Sequence, residues 1–116
     1  MLIRKVRDVE AQEVTNYNST KTKIQWLISK DEGAPRFAMR LFTIEKGGKI
    51  GLHSHPEEHE IFIVSGECYI ISENDNKIKV VENDVIYIPP NEVHGYEHGG
   101  NKTLKFICVV PILKKN

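Results

Sequence analysis

The sequence predicts an all-β fold, a sandwich or closed barrel, and three observations carry that expectation. Short β-branched and aromatic segments recur along the 116 residues, each stopped by turn residues such as Asp31-Glu32-Gly33-Ala34-Pro35 or Pro89-Pro90. No segment sustains the i, i+3, i+4 apolar period of a helix over three turns. Several segments, Ile61-Phe62-Ile63-Val64 above all, are apolar on both sides of an alternating strand, as in a sheet covered on two faces.

Taken in order, Val9 to Val14 can form a short turn, and residues 10–22, EAQEVTNYNSTKT, are the most polar part, expected as a loop or surface arm. Lys23 to Ile28 reads as the first strand. Phe37 to Glu45 follows and is expected to end at Lys46-Gly47-Gly48. Ile61 to Val64, Glu67 to Ser72, Lys77 to Val81, Val85 to Ile88 and Thr103 to Val110 complete the set. The expected organisation is one domain, with an N-terminal arm and first strand over residues 1–33 and a barrel over residues 34–116. The face of the Ile61 strand turned away from the interior needs a cover, either the N-terminal arm or a second copy of the chain, which favours a homodimer.

A chain of this length can bury roughly 65% of its unfolded surface, enough for a core without staples. Lysine plus arginine and aspartate plus glutamate both total 16. That balance leaves no electrostatic footprint for nucleic acid or for an anionic membrane. The two cysteines, Cys68 and Cys108, sit in separate apolar runs and read as buried thiols rather than a disulfide framework. Without an apolar leader or a membrane-length stretch, the expected location is the cytoplasm.

The chemistry concentrates in HSHPEEHEIFIVSG, residues 53–66. The chain has five histidines, and His53, His55 and His59 fall within seven residues. On a strand, residues i and i+2 share a face, so His53 and His55 present two imidazoles side by side. Pro56 ends that geometry, and Glu57-Glu58 can turn the chain so that His59 returns to the same point. His94, beyond the Pro89-Pro90-Asn91-Glu92 turn, can supply a fourth imidazole from a distant strand. A lone histidine is normally a surface or core residue; four in this pattern predict a shared site for a late first-row metal.

Residues 47–66, GGKIGLHSHPEEHEIFIVSG, resemble the first cupin motif: a glycine, five residues, His-x-His, then a ligand three or four residues on and a glycine about six further. Residues 83–94, NDVIYIPPNEVH, resemble the second, with its proline and last histidine. The resemblance spans roughly residues 34–111 and is strongest to small one-domain cupins whose metal is held by four histidines, one of them a manganese-binding protein. It implies a cupin-type double-stranded β-helix, an antiparallel jelly-roll barrel, with metal ligands His53, His55, His59 and His94. It also implies one divalent transition metal per chain, from among manganese, iron, nickel, copper, cobalt and zinc, with manganese or iron favoured. The family's usual glutamate falls on His59 if three residues intervene and on Glu60 if four do; the spacing to Gly66 favours His59. Asn83 and Asn91 stand where the family has glycines, and asparagine tolerates the positive φ such turns need. His98 takes the place of a late asparagine and is expected at the surface.

Four neutral imidazoles leave an ion its full charge and so its Lewis acidity, and open coordination positions favour oxygen chemistry over a closed structural zinc site. Leu104, Phe106, Cys108 and Val110 share one strand face; turned inward, Phe106 and Cys108 would make an apolar pocket wall, and otherwise they are ordinary core. Arg40, the one charge in FAMRLF, pairs with a substrate carboxylate or, as the commoner case, points to solvent. The expected function is a metal-dependent oxidoreductase or dioxygenase acting on a small apolar or aromatic substrate. The alternatives are a non-catalytic cupin that binds or senses a small ligand and, with less support, a sugar isomerase.

Overall fold

The computed structural model describes residues 1–114. Nine antiparallel strands form one curled sheet: β1 (Gln12–Glu13), β2 (Thr20–Ile28), β3 (Phe37–His53), β4 (His59–Ser65), β5 (Glu67–Ser72), β6 (Lys77–Val81), β7 (Val85–Ile88), β8 (His94–Gly99) and β9 (Leu104–Pro111). Among the described residues the only helical pieces are three short 3-10 turns. The strand order β6-β5-β8-β3-β9-β4-β7, with β2 also on β3 and β1 on β2, is the curled jelly-roll expected from the sequence. The barrel strands end with β9; residues 115 and 116, the end of the expected 34–116 unit, lie outside the described residues.

β3 is the spine. Its first half, to Ile44, lies between β2 and β9, and its second half, from Lys49, pairs with β8. The sequence expectation ended this strand at Lys46-Gly47-Gly48. The chain instead continues through them, because Gly47 takes φ +82°, a left-handed conformation open to glycine, and kinks the strand without ending it. The kink carries one continuous strand from one side of the barrel to the other and ends it at His53.

Alternation then sorts the side chains. Ala38, Phe42 and Ile44 of β3, Ile61 and Ile63 of β4, and Leu104, Phe106, Cys108 and Val110 of β9 all point inward and are buried. Phe106 is fully enclosed between Phe42 and Tyr96, with both ring centroids 5.1 Å away. On the outer side, Phe62 and Val64 remain exposed, so the second face of that strand is not covered within the chain.

Two features differ from the sequence expectation for physical reasons. The polar arm is partly strand: β2 begins at Thr20, and β1 hydrogen-bonds to it. His94-Gly-Tyr-Glu-His-Gly99 forms β8 with few β-branched residues, its pairing supplied by β3 on one side and β5 on the other.

A candidate metal centre at the barrel mouth

Three strand ends meet at one mouth. His53 closes β3, His59 opens β4 and His94 opens β8, with His53 and His94 directly paired across the ladder. His55 lies in the loop between β3 and β4 rather than on the strand with His53. That loop is pinned by the Asn91 N–H, which donates to the His55 carbonyl at 2.9 Å. Asn91 has φ +66° and Asn83 φ +75°, so both asparagines take the left-handed turns expected of them.

The imidazoles converge. Among the described residues, His53, His55 and His94 each bring a ring nitrogen within 4.8 Å of the others. His59 packs against this group, its ring 4.5 Å from His55 and 5.2 Å from His94, with Nε2 3.0 Å from His55 Nε2. Glu60, the other reading of the fourth position, is exposed on the opposite side of β4. His98 is not at the surface: it is buried on β8, where its Nε2 bonds the Lys102 carbonyl away from the cluster.

The ring protons can be assigned. His53 Nδ1 lies 2.7 Å from the Gly51 carbonyl, His55 Nδ1 2.9 Å from that of Glu57, and His94 Nδ1 2.8 Å from that of Glu92. A carbonyl only accepts, so each Nδ1 carries the proton and each Nε2 keeps its lone pair. His94 Nε2 and His59 Nδ1 are buried without a hydrogen-bond partner among the described residues. Burial holds His59 down to about 2, with Arg40 adding to it, and burial likewise holds His94 at about 4 against the Glu92 carbonyl. His53 is lowered by the same cause. Neutral imidazoles with bare, inward nitrogens suit a transition ion. Two nitrogens each about 2.1 Å from one ion at a right angle stand about 3.0 Å apart, which matches the His55–His59 spacing. The donor set fits a metal.

Around the cluster lies a cleft with two lobes, about 640 and 420 Å³, which share Tyr17, Trp26, Arg40, His55 and His59. Arg40 does not point to solvent. It stands in the inward row between Ala38 and Phe42, with Nη2 3.0 Å from Cys108 Sγ. Phe106 and Cys108 face inward as core and do not line either lobe. Burial raises the Cys108 thiol, so it is a neutral neighbour.

Sequence reasoning missed Tyr17 and Trp26. Tyr17 stacks on His53 at 4.1 Å and 7°, which lays the N-terminal arm over the mouth. The Gly51 N–H donates to the Tyr17 carbonyl at 2.8 Å, and a Cβ on Gly51 would sit 2.3 Å from that oxygen. The glycine inside the first motif was the available signal.

Residues 40–110 match the cupin domain. The chain belongs to the cupin family. This cupin is 30% identical over 112 residues to the oxalate-binding protein of Thermotoga maritima, across 91% of this chain and 90% of that one. It is also similar to the polyketide cyclase RemF of Streptomyces resistomycificus, with a TM-score of 0.89 and 29% identity over 96% of this chain and 79% of the other. A predicted oxalate decarboxylase from Thermotoga maritima shares the fold, at a TM-score of 0.83 and 22% identity over 97% of this cupin and all of that chain.

Proposed function

We propose that this cupin holds one divalent transition metal on His53, His55, His59 and His94 and uses it to act on a small organic molecule in the cleft. The observation that carries this reading is the proton assignment: three imidazoles donate outward to main-chain carbonyls and keep bare nitrogens turned to one point. When bound, the ion supplies Lewis acidity toward a substrate oxygen and the redox capacity of a first-row metal, manganese or iron foremost. The chain supplies the rest. Its neutral imidazoles add no negative charge to weaken that acidity. The Phe42, Tyr96 and Phe106 stack closes the floor against water, and Arg40 and the mouth aromatics orient what enters.

The reaction we assign is oxidation or oxygenation of a small aromatic or unsaturated substrate, supported by the all-imidazole donor set and the apolar floor. Sugar isomerisation keeps some support from the polar residues Gln12, Ser29, Asp31 and Glu57 that line the larger lobe. Binding without turnover is the second reading, favoured by the 30% identity to a protein named for oxalate binding.

The experiment is to load the protein with manganese or iron and incubate it with catechols and enol acids, following oxygen uptake and products. Metal-dependent uptake with an oxidised product, lost in His94→Ala, supports the assignment. A product without oxygen uptake moves the reaction to a non-oxidative one. Saturable binding with no product moves it to the second reading.

No helix among the described residues is long and apolar enough to cross a membrane. For the homodimer, the exposed outer row Phe62, Val64, Val85 and Tyr87 offers the face, and sedimentation equilibrium is its test.

A further inference from the structure

Arg40 is half-buried and turned into the barrel mouth, where a partly desolvated charge gains from a partner of opposite sign. Arg40 makes no ion pair among the described residues. Its one side-chain hydrogen bond goes to the neutral Cys108 sulfur, a weak acceptor. Its Nε is buried with no hydrogen-bond partner among the described residues. What holds the group in place is aromatic: its carbon lies 5.5 Å from the Trp26 ring and 5.0 Å from the Phe42 ring. Such contacts orient a cation without neutralising it.

The surroundings describe the missing partner. Arg40 lines both lobes of the cleft, as do His55, His59, Trp26 and Tyr17. Trp26 is 40% exposed and Tyr17 44% exposed, so both offer free ring surface to an occupant. A carboxylate matches the planar fork of a guanidinium better than a point charge does. The larger lobe, about 640 Å³, has room for much more than a two-carbon acid.

We propose that Arg40 is the anion anchor of this cleft, and that the substrate class is a small planar carboxylate whose body lies against Trp26 and Tyr17. This deepens the reading given above and rests on it only for the metal-side end of the ligand. Arg40 acts as a specificity residue: it selects the charged acid over its neutral analogues and turns the rest of the molecule toward the histidines.

Trp26 is the single tryptophan of the chain, so its fluorescence reports occupancy of the cleft directly. The probes are benzoate and its neutral isostere benzamide, titrated into metal-loaded and metal-free protein, with metal content measured on each sample. Wild-type protein should bind benzoate about tenfold more tightly than benzamide, as expected of one charge-assisted pair. Arg40→Gln should remove that preference with metal content unchanged. Arg40→Lys should restore part of it, since lysine keeps the charge and loses the fork. Melting curves identify any variant that does not fold, and the wild-type comparison with Arg40→Lys still decides the matter. Equal binding of benzoate and benzamide by the wild type, or a full benzoate preference that survives in folded Arg40→Gln, would overturn the proposal. Protein that takes up no metal but keeps an Arg40-dependent preference sinks the metal reading alone. Metal uptake with no preference sinks the anchor alone.

Discussion

The Nε2 atoms of His55 and His59 stand 3.0 Å apart at the mouth of the barrel. Because His55 gives its Nδ1 proton to the Glu57 carbonyl, its Nε2 can only accept. The contact therefore has two chemical meanings: His59 donates a proton across it, or both nitrogens give their lone pairs to one cation. The second frees His59 Nδ1 to carry the ring proton, although that atom is buried without a protein partner.

Acid should weaken the metal-stripped protein through these rings. His59 and His94 are held at about 2 and about 4 in the folded chain, against 6.5 for a free imidazole. Between those values the unfolded chain binds more protons than the folded one, so stability rises with pH. It is lost as pH falls from about 6.5 toward 4. Urea midpoints measured across that window should drop steadily; a flat profile contradicts the buried, neutral cluster.

Gly51 should be sensitive to a single methyl group. The Cβ of Gly51→Ala would meet the Tyr17 carbonyl at 2.3 Å, a backbone contact that cannot relax without moving the arm. Faster hydrogen exchange over residues 12–19 is expected, with the barrel strands unchanged. Tyr17→Ala should alter the cleft and leave that exchange closer to wild type.

His98 should matter to stability alone. Its buried bond to the Lys102 carbonyl ties β8 to the turn before β9. His98→Ala should cost about 1–3 kcal/mol by denaturant titration and leave metal content at the wild-type level. Loss of metal would place it in the site.

Phe106→Ala tests the floor. A fully enclosed ring between Phe42 and Tyr96 is core, and its removal should cost about 3–5 kcal/mol. A loss near zero would mean that the interior is packed otherwise.

The barrel was legible because its signals are local. Alternating β-branched residues and turn residues mark most strands, and the spacing of His53, His55, His59 and His94 marks the mouth. The parts that were not legible depend on partners far away in sequence. Lys46-Gly47-Gly48 has the composition of a turn, and only the pairing of β3 with β8 makes it a kink within a strand. Arg40 sits between Met39 and Leu41, apolar on both sides, so alternation alone cannot say which face turns inward. Tyr17 belongs to a polar arm whose docking is visible only beside Gly51 and His53.

The central claim is a histidine-bound ion, and metal content per chain tests it most directly. Untagged protein, loaded with manganese or iron and desalted, should carry about one ion per chain, as should Glu60→Ala. His94→Ala should lose it while keeping the wild-type circular dichroism, and His59→Ala should bind it more weakly. Wild-type protein that takes up no ion, or a folded His94→Ala variant that keeps one, would contradict the account.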